Sequence, residues 1–204
     1  MKPTTGRGRK SRPPQKIPEV LSADEQSRLL AQLADDSPSS VRNRAIVRVF
    51  LDTGLRASEL INLRLRDLDL ATGRLWVRQG KGRKDRGLWF NGATREALQD
   101  WLNSSSLQRG PYDYVFTSLD GRKPLCGRVL RRWVEKLGKQ AGIEKRVHPH
   151  LFRHTFCTDL LRSRKNLRLV QKAAGHQDIK TTTIYTHIVD EELEEAMKNF
   201  RNGG

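Results

Sequence analysis

From about residue 22 to residue 200 the chain is written in short blocks whose apolar residues recur with a helical period, interrupted once by a cluster of β-prone runs. That pattern dictates a mostly helical fold carrying one small antiparallel sheet on its side. Ser22-Ala23-Asp24-Glu25 has capping-box spacing and is followed by Leu29, Leu30 and Leu33, which predicts a first helix. A second runs over about 39 to 51 and stops at Thr53-Gly54, and a third restarts over 57 to 63 with Leu60, Ile61 and Leu63 inward. Residues 68 to 70, 75 to 78 and 87 to 90 read as strands, separated by Ala71-Thr72-Gly73 and by the turn chemistry of 80 to 85. Beyond them helices are expected over 93 to 103, 125 to 141, 149 to 162, 166 to 174, 179 to 186 and 190 to 200.

With 204 residues, 36% of them hydrophobic and including four Trp and six Phe, one packed domain is the natural organisation. The charge is lopsided: 39 Lys and Arg against 23 Asp and Glu give +16, which points to a polyanionic partner. Residues 1 to 17 hold six cations and no acid, and 190 to 204 hold five acids and two bases, so the body at 18 to 189 keeps +13. We therefore divide the chain into a flexible basic arm (1–17), a globular domain (18–189) and a C-terminal helix and tail (190–204). No apolar run approaches the ~18 residues that span a bilayer, and no apolar segment follows the basic N-terminus. The expected location is the cytoplasm, at the nucleoid. Cys126 and Cys157, 31 positions apart, form no CxxC pair, so reduced structural cysteines are expected rather than disulfides or a thiolate zinc site.

Gly80-Lys81-Gly82-Arg83-Lys84-Asp85-Arg86 packs four cations into a hairpin turn. It lacks the Gly-Lys-Ser/Thr ending of a phosphate-cradling P-loop and reads equally as a solvated basic turn or as the seat of a working lysine. Arg56 sits at a helix start after a Gly turn, where a cation beside the positive dipole end suggests anion binding. In His148-Pro149-His150-Leu151-Phe152-Arg153-His154, proline suits the first helical turn and His150, Arg153 and His154 share one face. Leu151, Phe152, Phe156 and Leu160 would anchor that helix in the core. A His metal site with Cys157 is the competing reading; Arg153 between the imidazoles would repel a dication and suits an oxyanion such as phosphate. His176 closes the next helix and Tyr185 lies nine positions on; each alone reads as a cap or a packing residue.

Taken together, TGLRASEL at 53–60, GKGRKDR at 80–86, HPHLFRHTF at 148–156 and AAGHQDIKTTTIYTH at 173–187 resemble the tyrosine recombinases, or phage-integrase family, in order and spacing. The resemblance implies DNA strand transfer without metal or other cofactor, in which Tyr185 attacks a backbone phosphorus to give a 3′-phosphotyrosyl link and a free 5′-hydroxyl. Arg56, Arg153 and His176 would hold the non-bridging oxygens, His150 would assist proton transfer, and Lys81 would protonate the departing oxygen, with Lys84 as the lesser alternative. His154 and His187 adjoin the motifs and receive no role. DNA contacts are expected from Lys2, Arg7, Arg9, Lys10, Arg12 and Lys16 of the arm and from Arg83, Lys84 and Arg86 of the turn. The implied partners are double-stranded DNA and further copies of the chain, a tetramer in synapsis, with the C-terminal helix swapped between protomers or packed on its own domain.

Most members of the family carry a separate helical DNA-binding domain ahead of the catalytic one, which completes a clamp around the duplex. This sequence matches the catalytic part, in a layout similar to the short fimbrial-switch invertases, so an accessory DNA-binding protein is a further candidate partner. Two other functions compete with recombination: a DNA-binding accessory or regulatory protein of the same fold, and relaxation of DNA in the manner of a type IB topoisomerase. Covalent adduct formation separates the enzymes from the regulator, and joining of two defined sites separates recombinase from relaxing enzyme.

Overall fold

A computed structural model describes residues 18–78, 85–104, 109–121 and 123–175. Within them the order is α1 (Ala23–Ala31), α2 (Pro38–Thr53), α3 (Ala57–Ile61), a 3-10 turn (Leu65–Asp67), β1 (Leu68–Asp69), β2 (Arg74–Val77), β3 (Arg86–Trp89), α4 (Gly92–Asn103), α5 (Gly127–Gln140), α6 (Pro149–Arg164) and α7 (Leu167–Ala174). The expected architecture, helices with one three-stranded antiparallel sheet in the order β1-β2-β3, is the one observed. The helices expected over 179 to 186 and 190 to 200 lie outside the described residues, as does the arm.

Local chemistry sets the boundaries. The capping box at the start of α1 is formed: Ser22 Oγ accepts the Glu25 N–H at 3.2 Å and Glu25 Oε2 accepts the Ser22 N–H at 2.7 Å. Helix α2 opens on Ser37 with Pro38 in its first turn and ends at Gly54, whose φ of 58° is left-handed. Strand β1 is shorter than expected. Asp69 turns its carboxylate to the Thr72 N–H at 3.1 Å and hydroxyl at 2.6 Å, and this turn draws the chain out of the sheet before Leu70. Helix α6 runs past residue 162 to Arg164 and closes on Lys165 at φ 50°, a residue that carries no stop signal in the sequence.

The core centres on α2, which packs against α4 and α6. Phe50 and Phe152 stack there with ring centroids 5.5 Å apart. In the sheet, Leu75 pairs with Leu88 and both are buried, while Trp76 and Trp89 face outward. Leu151 and Phe152 anchor α6 in the main core; Phe156 and Leu160 instead half-bury with Cys157, Leu161, Val170 and Ala174 in a small cluster under α7. Cys157 is buried and Cys126 exposed at the head of α5. Among the described residues no helix is long and apolar enough to cross a membrane.

Candidate active site

The left-handed turn at Gly54 swings the chain from α2 into α3 and sets Arg56 as the residue that opens α3. The carboxylate of Glu59, one turn on, gathers it in: Oε2 accepts the Arg56 N–H at 2.8 Å and Oε1 accepts Arg56 Nη1 at 2.9 Å. The same two oxygens accept Arg86 Nη1 at 3.0 Å and Nη2 at 2.8 Å from β3. Burial alone would raise the Glu59 pKa, but the hydrogen bonds and charge of Arg86, followed by the N–H and charge of Arg56, outweigh it and hold the carboxyl below its ordinary range.

Helix α6 supplies the second group of residues. His148 caps it, its Nδ1 accepting the Leu151 N–H at 3.2 Å, and Pro149 fills the first turn. His150 is exposed and sits near His154, ring centroids 6.5 Å apart, whereas Arg153 is buried with 5% of its surface exposed. Arg153 donates from Nη1 to Gly54 O at 2.8 Å and from Nη2 to Ala174 O at 2.5 Å. Partial desolvation first, and then the positive charges of Arg153, Arg56 and Arg131, hold the His150 imidazole below its usual range. A ring in that state is neutral near pH 7 and free to accept a proton.

The last turn of α7 is where these strands of the site converge. Its successive carbonyls, those of Ala173, Ala174 and Gly175, accept Arg86 Nε at 3.0 Å, Arg153 Nη2 at 2.5 Å and Arg56 Nη2 at 3.3 Å. Three arginines from three elements thus satisfy carbonyls that the helix itself leaves open, at the negative end of its dipole. Gly175 ends α7 with a left-handed φ of 64°, and His176 is the next residue in the chain. Burial and then the Arg56 charge lower the pKa of Arg153, with Cys157 and Glu59 acting the other way, and among the described residues the guanidinium groups of Arg56, Arg86 and Arg153 share the one carboxylate of Glu59, a deficit of negative charge. Guanidinium groups held in place with that deficit suit a tetrahedral oxyanion.

Of the residues expected from sequence to act, the structure brings together Arg56, His150 and Arg153. Lys81, Arg83, Lys84, His176, Tyr185 and the arm cations Lys2, Arg7, Arg9, Lys10, Arg12 and Lys16 lie outside the described residues. Arg86 requires a correction. Expected to touch DNA, it is 8% exposed and spends its guanidinium on Glu59 and on Ala173 O. The reason is strand alternation: Arg86 points the same way as buried Leu88. Two participants were not singled out in the sequence. Glu59 could have been found from its i+3 spacing to Arg56. Arg131, whose charge bears on His150, belongs to an exposed basic face of α5 with Arg128, Arg132, Lys136 and Lys139.

Comparison with known proteins gives one consistent picture. The model of the phage integrase family matches residues 19–192. Tyrosine recombinase XerC of Lactobacillus delbrueckii subsp. bulgaricus is 40% identical over 177 residues, covering 85% of this chain and 59% of that protein. XerC of Pseudomonas fluorescens is 42% identical over 173 residues, covering 85% and 57%. Among solved structures, the XerA recombinase superposes with a TM-score of 0.76 at 38% identity, covering 92% of this chain and 67% of that one. The XerH site-specific recombinase bound to palindromic difH substrate in a post-cleavage complex gives 0.75 at 31% identity, covering 91% and 54%. The chain therefore spans somewhat less than two thirds of the length of the curated relatives it matches.

Proposed function

Because the chain belongs to the phage integrase family, and specifically matches its tyrosine recombinases, we propose that it breaks and rejoins double-stranded DNA at specific sites through a 3′-phosphotyrosyl intermediate. The observation that carries this reading is the convergence of Arg56, at the head of α3, with His150 and Arg153 of α6 on one electropositive corner. Arg56 and Arg153 exchange peptide carbonyls for the non-bridging oxygens of the scissile phosphate and offset the charge that builds there in the transition state. His176 adds a donor to the same oxygens. Tyr185 supplies the nucleophilic oxygen, and neutral His150 takes part in moving its proton, since a phenol of pKa about 10 needs help near pH 7. Lys81 protonates the departing 5′ oxygen. The guanidinium pair does the work that a metal does elsewhere, and the covalent link conserves the bond energy, so neither metal nor ATP is required. The body's positive charge lies against duplex DNA, and synapsis joins copies of the chain, with the tail from 190 to 204 as the assembly element.

Trapping on a nicked substrate tests this. Wild-type protein is expected to give a covalent protein–DNA band on a denaturing gel with EDTA present. Tyr185→Phe should bind the site yet give no band, and Arg56→Ala and Arg153→Ala should each slow cleavage on the order of 10²-fold. An adduct that survives in Tyr185→Phe, or that EDTA removes from the wild type, overturns the assignment.

A further inference from the structure

The site contains an arginine with no place in the chemistry just described. Arg86 is buried, and among the described residues its guanidinium makes a forked pair to Glu59 and one bond to Ala173 O. Its fork has a particular effect on Arg56. A carboxylate offers about four acceptor positions. In Glu59 two are taken by Arg86, one by the Arg56 N–H and one by Arg56 Nη1. With the carboxylate filled, Arg56 cannot turn both of its terminal nitrogens onto Glu59. Its Nη2 is left to reach Gly175 O at 3.3 Å, the longest bond in the cluster and so the first to give way to a better acceptor. Arg86 also lies directly under Gly175: a Cβ there would stand 2.9 Å from Nη1 and 3.1 Å from Cζ. Finally, Arg86 is the cross-strand partner of Val77, so it roots the strand that follows the segment containing Lys81.

We propose that Arg86 is a positioning residue of the strand-transfer reaction: it saturates Glu59 so that Arg56 keeps one guanidinium edge for the scissile phosphate, and it fixes the end of α7 from which His176 follows. This rests on the recombinase reading above. Removing Arg86 frees half of a partly buried carboxylate, which then draws Arg56 into a full forked pair and away from the phosphate. The loss is one of geometry at the reacting phosphorus, where small displacements cost heavily.

The test compares wild type, Arg86→Met and Arg86→Lys on two nicked substrates. One has a normal scissile phosphate and the other a methylphosphonate there, whose methyl group replaces a charged oxygen and lowers the demand for Arg56. On phosphate both variants are expected to cleave about 10-fold or more slowly than wild type. On methylphosphonate that deficit should contract, as it should for Arg56→Ala. A merely structural loss lowers both rates by the same factor, and because the ratio of the two rates is taken within each preparation, partial unfolding of Arg86→Met does not alter it. Equal deficits on the two substrates, or wild-type cleavage of the phosphate, overturn the proposal. So does a fall of about 0.9 in the slope of log affinity against log salt, which would mark Arg86 as a phosphate contact. A wild-type chain that forms no adduct overturns the recombinase reading itself; a wild type that cleaves beside variants that cleave equally well overturns only the role of Arg86.

Discussion

Gly54 illustrates how much of the site hangs on a single residue. Its φ of 58° lies where an L-residue is disfavoured by about 1–2 kcal/mol. A Cβ at this position would stand 2.2 Å from Phe156 Cδ1, and its carbonyl holds Arg153. Gly54→Ala should therefore lower thermal stability by at least that amount and reduce trapped adduct further than the folded fraction accounts for. Circular dichroism melts beside the trapping gel check it, and an adduct yield that follows stability alone would separate the turn from the site. Arg56, His150 and Arg153 were legible in the sequence because each stands at a local signal, a helix start or a shared helix face. Arg86 was misread for a physical reason. In sequence it closes a run of cations, and its acceptor Glu59 lies 27 positions away and becomes visible only once the sheet and α3 are packed. The carbonyls of α7 carry no side-chain signature at all.

Helix α6 shows the same division between what is local and what is tertiary. Its start was readable from Pro149, while its end at Lys165 was not, because the left-handed position holds a lysine and the asparagine that follows reads as the cap of α7. The strands were placed to within a residue or two by alternation and turn chemistry, and the Asx turn that shortens β1 is a side-chain effect that alternation cannot see. The cap of α6 has a consequence for pH. His148 Nδ1 accepts a backbone N–H, which requires the ring to be unprotonated there. Burial first, then His150 and Arg146, lower its pKa from the ordinary 6.5. His150 and His154 are lowered as well. The unfolded chain thus binds protons at these histidines more readily than the folded one, so their contribution to stability is level well above pH 6.5 and declines as pH falls through 6.5 toward the folded-state values. His148→Ala should cost about 1 kcal/mol at pH 7.5. His148→Asp keeps an acceptor and should lose less stability than wild type between pH 7.5 and 5.5. Urea titrations at the two pH values decide it; an unchanged acid loss in His148→Asp would assign the sensitivity to His150 and His154 alone.

At the scale of the molecule, charge and connectivity govern. A body of +13 with an arm of six further cations should bind duplex through phosphates, with affinity that falls steeply with salt. If the arm makes half of its available contacts, deleting residues 1–16 should flatten the slope of log affinity against log salt by about 3. Filter binding at several salt concentrations measures this, and an unchanged slope would mean that the arm does not touch DNA. The end of α7 governs the site from the opposite direction. Because its anchors are main-chain carbonyls, replacing the side chains of Ala173 or Ala174 cannot delete an acceptor, whereas Arg56, Arg86 and Arg153 each have a guanidinium to lose. The burden of inheritance therefore falls on one side of each bond: the donors must be preserved letter by letter, while the acceptors are passed on by the fold itself, leaving the exposed positions of α7, Arg168, Leu169 and Lys172, free to drift as long as Val170 and Ala174 stay packed and the helix ends in the same place.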